Sequence, residues 1–126
     1  MPPGSCIPLI VVDAANVVGS TPNGWWRDRR GFTERLRDRL AGLAEYGIES
    51  TGTPVEVVMV VEGQASGVEP SDTVATVSAR GSGDDRIVQL VAENSGRRCV
   101  VVTADRGLRS RVTALGAEVI GPSALR

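Results

Sequence analysis

Three runs of large apolar residues in this chain each stop on a carboxylate. Leu9-Ile10-Val11-Val12 ends on Asp13, Val55-Glu56-Val57-Val58-Met59-Val60-Val61 ends on Glu62, and Val100-Val101-Val102-Thr103-Ala104 ends on Asp105. A run with little polar alternation marks a strand covered on both faces, the state of a central strand in a parallel sheet. In open α/β sheets ligands bind beyond the carboxyl ends of such strands, so the recurrence singles out one edge of the sheet. Asp13, and Asn16 in the turn that follows it, are the first candidates for function.

The segments between the runs alternate with them as helices and loops. Val17 to Gly24 reads as turn chemistry leading into a loop that carries Trp25 and Trp26. Phe32, Leu36, Leu40 and Leu43 recur at four, four and three residues and predict an amphipathic helix over about 30–46. Thr73 to Ser78 alternates as an edge strand does. Ile87, Leu90 and Val91 form the inner stripe of a helix over about 84–94, with Gly96 expected just past its end. A further helix opens at Asp105, with Leu108, Val112 and Leu115 inward and Gly116 past its end, and Glu118-Val119-Ile120 is a last short strand. Strands alternating with helices indicate an α/β fold with a parallel sheet and right-handed crossovers. The 126 residues, 41% of them hydrophobic, are expected to form one domain over 1–126. No apolar run approaches the roughly 20 residues of a membrane span and the amino terminus lacks the charged lead of a signal peptide, so no membrane is expected and the expected location is cytoplasmic.

The chain has no histidine, which excludes Ser/His/Asp and Cys/His catalysis and removes the standard imidazole ligand of zinc. Cys6 and Cys99 each open an apolar strand instead of forming a CxxC pair, so both are expected as reduced thiols near the amino-terminal edge of the sheet. Net charge is −1, yet every basic residue is arginine and Arg27, Arg29, Arg30, Arg35, Arg37 and Arg39 crowd one stretch. A coding bias toward G and C accounts for missing lysines; it does not account for the crowding. Arginine's planar fork suits phosphate, and Trp25 and Trp26 beside it suit base stacking, although two tryptophans also serve to anchor a loop. Gly81-Ser82-Gly83 before a helix lacks the P-loop lysine and reads as a flexible turn.

Five acids, Asp13, Glu62, Asp84, Asp85 and Asp105, lie near the predicted carboxyl edge. Clustered carboxylates repel unless a cation or shared protons neutralise them, and hard oxygen donors without His or Cys select Mg²⁺ or Mn²⁺. Such an ion activates water and stabilises the leaving oxygen of a phosphodiester. Helix capping explains Asp84 and Asp105 individually but predicts nothing about Asp13 or Glu62.

Asp13-Ala14-Ala15-Asn16-Val17-Val18-Gly19, then Gly83-Asp84-Asp85-Arg86-Ile87, then Val102-Thr103-Ala104-Asp105-Arg106 together resemble the NYN/PIN-like ribonuclease superfamily, in particular its small bacterial NYN branch, over about 7–125. The resemblance implies a single-domain three-layer PIN-like fold with strand order 3-2-1-4-5 and an acidic Mg²⁺ or Mn²⁺ site that hydrolyses RNA. By position it implies Asp13, Asn16, Asp84 and Asp105 as catalytic residues. Asp13, Asp84 and Asp105 become the metal ligands, with Glu62 or Asp85 acting through water; Thr103 precedes its ligand without being one. Glu62 departs from the aspartate that relatives often carry, and its extra methylene shifts the carboxylate by about 1.5 Å. With no separate RNA-binding segment in the sequence, RNA contact is expected from Trp25, Trp26, Arg27, Arg29, Arg30, Arg35, Arg39 and Arg106, or from a protein partner or second copy. Two competing readings are a catalytically silent PIN-like module that binds RNA or protein, and a Toprim-like phosphotransfer domain, which leaves Asp13 idle.

Overall fold

The structure is a computed structural model, and it describes residues 7–19, 29–46, 55–61, 74–79 and 83–122. Its elements in chain order are β1 Leu9–Asp13, α1 Ala14–Gly19, α2 Arg29–Tyr46, β2 Glu56–Val61, β3 Val74–Ser78, α3 Gly83–Glu93, β4 Cys99–Val102, α4 Arg106–Thr113 and β5 Glu118–Ile120. All five strands are parallel, in the order β3-β2-β1-β4-β5. That is the order implied by the resemblance, and it makes β1 central.

Every residue of β1 is buried, as its unalternated run requires. Strand pleating sends successive side chains to opposite faces, and the two faces have separate cores. Ile10 and Val12 pack with Val57, Met59, Val100 and Val102 beneath Leu36 and Leu40 of α2. Leu9 and Val11 pack with Val58, Val60 and Val101 beneath Ile87, Leu90 and Val91 of α3 and Leu108 and Val112 of α4. The result is three layers, helix, sheet and helix. Fully burying each such side chain contributes about 1.5–3 kcal/mol, so the central strands carry much of the fold's stability.

The register sets the geometry of the two sheet edges. Leu9 lies opposite Cys99 and Val12 opposite Val102, while Asp13 lies opposite Val60 on the other side. Cys99 therefore stands at the amino-terminal edge, buried and unpaired by disulfide, away from the acids as expected. Burial pushes its thiol up, with the Arg97 charge opposing. Cys6 lies outside the described residues.

Three expectations are corrected. Val17 to Gly19 is not the start of a loop, because α1 begins directly after Asp13 and Val17 packs on the core beneath α2. Gly96 is not a left-handed terminator: α3 stops at Glu93, and the Asn94 side chain donates to the Leu90 carbonyl at 2.8 Å. Leu115 is 42% exposed instead of facing inward. The helical period that would align it with Leu108 and Val112 ends at Thr113, where the chain tightens through Gly116, with φ +91°, and the Ala117 N–H bonds back to the Val112 carbonyl at 3.1 Å. Among the described residues no helix is long and apolar enough to cross a membrane.

Candidate active site

At the carboxyl edge the ends of β1 and β4 meet, and one hydroxyl joins them. Asp13 closes β1 and is 7% exposed; Thr103, the residue after β4, is 1% exposed. Thr103 Oγ1 donates to Asp13 Oδ2 at 3.0 Å and accepts from the Asp105 N–H at 3.1 Å. Since a hydroxyl has a single hydrogen, the donation fixes its orientation and leaves its lone pairs for the backbone. A second bond runs parallel to the first: the Ala104 N–H donates to Asn16 Oδ1 at 2.8 Å. The Asp13-x-x-Asn16 turn and the Thr103-x-Asp105 turn, separate motifs in the sequence, are thus one hydrogen-bonded unit.

Each acid has a further role. The Asn16 N–H approaches Asp13 Oδ1 at 3.4 Å, a long contact at the start of α1. Asp105 is the N-cap of α4, its Oδ1 accepting from the Leu108 N–H at 2.9 Å. The capping explanation therefore holds for that oxygen, while among the described residues Oδ2 has no hydrogen-bond partner. Gly107 keeps the space above this carboxylate open, since a Cβ there would stand 3.3 Å from Asp105 Oδ1. Asp84 is the second residue of α3, half-buried in the first turn, where the helix dipole favours an acid. It is not the cap of that helix.

The other candidates are dispersed. Asp85 is exposed and holds Arg111 of α4 at 2.9 Å, bridging the two helices on the surface. Arg106 is exposed at the start of α4, and Arg35 and Arg39 are exposed on α2, in the layer across the sheet. Arg29 and Arg30 belong to the first turn of α2, with side chains outside the described set. Glu62, Trp25, Trp26 and Arg27 lie outside the described residues. Among the described residues no three His, Cys, Asp or Glu side chains group closely enough to hold a metal ion by themselves. Thr103 is the residue whose importance the sequence understated; its signal was the Thr-x-Asp spacing, masked by its place in a β-branched run.

The crystal structure of a mutant of Rae1 (YacP) from Bacillus subtilis is similar to this chain, with a TM-score of 0.76 over 94% of this chain and 72% of that one. The fold is PIN/NYN-like. Sequence identity to that structure is 18%, so the likeness speaks for the architecture and not for individual side chains. No family model matches the chain, and no curated protein matches it by sequence.

Proposed function

We propose that the chain is a divalent-cation-dependent ribonuclease that hydrolyses RNA phosphodiester bonds at the carboxyl edge of its sheet. The observation that carries this reading is the buried Asp13 carboxylate at the end of the central strand, tied through Thr103 Oγ1 to the turn that presents Asp105. A carboxylate buried at the end of the central strand, on the edge where open α/β sheets bind their ligands and beside a turn that presents a second acid, supports that reading.

The donor set fits Mg²⁺ or Mn²⁺. Asp13 and Asp105 are hard oxygen donors, Asp84 of α3 does not complete a close group of three with them, and the one described thiol lies at the opposite edge. A three-carboxylate cage is not required, because Mg²⁺ is commonly held by one or two carboxylates and completed by waters and substrate phosphate. Such an ion, when bound, supplies an activated water and charge neutralisation at the phosphate. The protein's own residues supply position. Thr103 orients Asp13 by a bond to one oxygen. Asn16 spends its Oδ1 on the Ala104 N–H, and its amide N–H donors, without a partner among the described residues, are the groups that would meet a phosphate oxygen.

The test is cleavage of single-stranded and structured RNA by purified protein with Mn²⁺ or with EDTA, repeated for Asp13→Asn and Asp105→Asn. Asparagine still accepts the Thr103 hydroxyl and still caps α4, so both variants should melt near the wild-type temperature. Cleavage should need Mn²⁺ and be abolished in both. Full activity in Asp105→Asn overturns the assignment, and RNA binding without cleavage by the wild type leaves a binding module instead.

A further inference from the structure

Five of the described arginines are neutralised where they stand. Arg37 pairs with Asp38, Arg86 with Glu93, Arg97 with Glu56, Arg98 with Glu118 and Arg111 with Asp85. Arg106 and Arg109 of α4 are different: both are exposed, and among the described residues neither has an acidic partner. With Ser110 and Thr113 they line an open concavity of about 420 Å³. The four positions are spaced i, i+3, i+4 and i+7, one stripe of a helix whose opposite stripe, Leu108 and Val112, is buried in the core. The stripe begins one residue after Asp105 and, at 1.5 Å per residue, runs about 10 Å away from the carboxyl edge.

We propose that this face of α4 is a phosphate-binding groove that seats the backbone of a single RNA strand entering or leaving the Asp13–Asp105 edge. The inference rests on the ribonuclease reading and adds to it the path of the substrate. Charge complementarity selects a polyanion, and the guanidinium fork suits its phosphates. The lining residues among those described are two arginines and two hydroxyl side chains, none of them an aromatic ring for stacking or an amide for base edges. Contact is therefore to phosphate and sugar, and binding is independent of base sequence. Arg111 of the same helix lies off the stripe and is held by Asp85, which makes it an internal control.

The experiment measures binding of fluorescein-labelled oligouridine and oligoadenosine in EDTA across a salt series, for the wild type, Arg106→Gln, Arg109→Gln and Arg111→Gln. Glutamine keeps helix propensity at these exposed positions, and unchanged circular dichroism melts verify it. For a single strand, removing one arginine–phosphate pairing reduces the slope of log affinity against log salt by about 0.7. Arg106→Gln and Arg109→Gln should each show that reduction on both oligonucleotides, and Arg111→Gln should keep the wild-type slope. Unchanged slopes in the first two, or equal reductions in all three, overturn the groove. Mn²⁺-dependent cleavage by the wild type is scored on the same oligonucleotides. Absent cleavage with the expected slopes removes the ribonuclease reading and leaves the groove standing; cleavage with unchanged slopes does the reverse.

Discussion

Thr103 contributes one hydroxyl, and that hydroxyl both donates to Asp13 and accepts from the Asp105 backbone. Thr103→Val keeps the shape and removes both bonds, leaving a buried carboxylate oxygen and a backbone N–H without their partner. A destabilisation of about 1–3 kcal/mol in denaturant unfolding is expected, together with a fall in Mn²⁺-dependent cleavage that Thr103→Ser largely restores. Equal activity in the Val variant would deny Thr103 its positioning role. In the sequence this residue reads as one more β-branched member of the β4 run, because local pattern carries no information about a partner in another strand. Asp105 posed a related problem, with capping and ligation as rival explanations; the structure gives Oδ1 to the cap, and Oδ2 has no hydrogen-bond partner among the described residues.

At the scale of elements, the helices show where periodicity is a good guide and where it stops. The apolar stripes of α3 and α4 place Ile87, Leu90, Val91, Leu108 and Val112 inward as their spacing requires. α1 is not legible in the sequence because a helix of six residues has little intrinsic stability and is held by packing, here of Val17 on the core. The short edge strand β5 is fastened to the start of β4 by Arg98, whose guanidinium grips Glu118 through two hydrogen bonds, one of 2.9 Å. These hydrogen bonds hold the Glu118 carboxyl below its ordinary range, with desolvation opposing and the Arg98 charge assisting. A carboxyl whose pKa is lower folded than unfolded stabilises the protein above the unfolded value of about 4.5, and the contribution disappears as pH falls through the folded value. Glu118→Gln should therefore lower Tm slightly at neutral pH and flatten its decline on the acid side. Because the pair is exposed, the difference should shrink in high salt. Melting curves across pH, at low and high ionic strength, check both points.

Across the whole molecule, the two arginine faces stand in different layers. Arg35 and Arg39 lie on α2, whose core side chains meet one face of the sheet, and Arg106 and Arg109 lie on α4 over the other. A short oligonucleotide seated along α4 cannot also follow α2, whereas a long RNA crossing the carboxyl edge can reach both. Replacing Arg35 and Arg39 with Ala should weaken binding of long RNA, lower its salt slope by about 0.7 for each phosphate released, and leave a short oligonucleotide unaffected. Unchanged binding of long RNA would return the α2 cluster to the status of a solvated face. The sequence by itself determined the class of fold, because unalternated apolar runs and helical stripes are local consequences of burial on two faces or one. It also identified the edge where function is expected, since the acids end those same runs. The strand order came from resemblance and not from periodicity. Only the tertiary structure decided that Asp13 and Asn16 join Thr103 and Ala104, contacts spanning 90 and 88 residues of chain. Those contacts exist because the crossovers lay β4 against β1 in a register that ends both strands together. The same crossovers decide which arginines meet an acid and which, as on the outer stripe of α4, are left facing solvent.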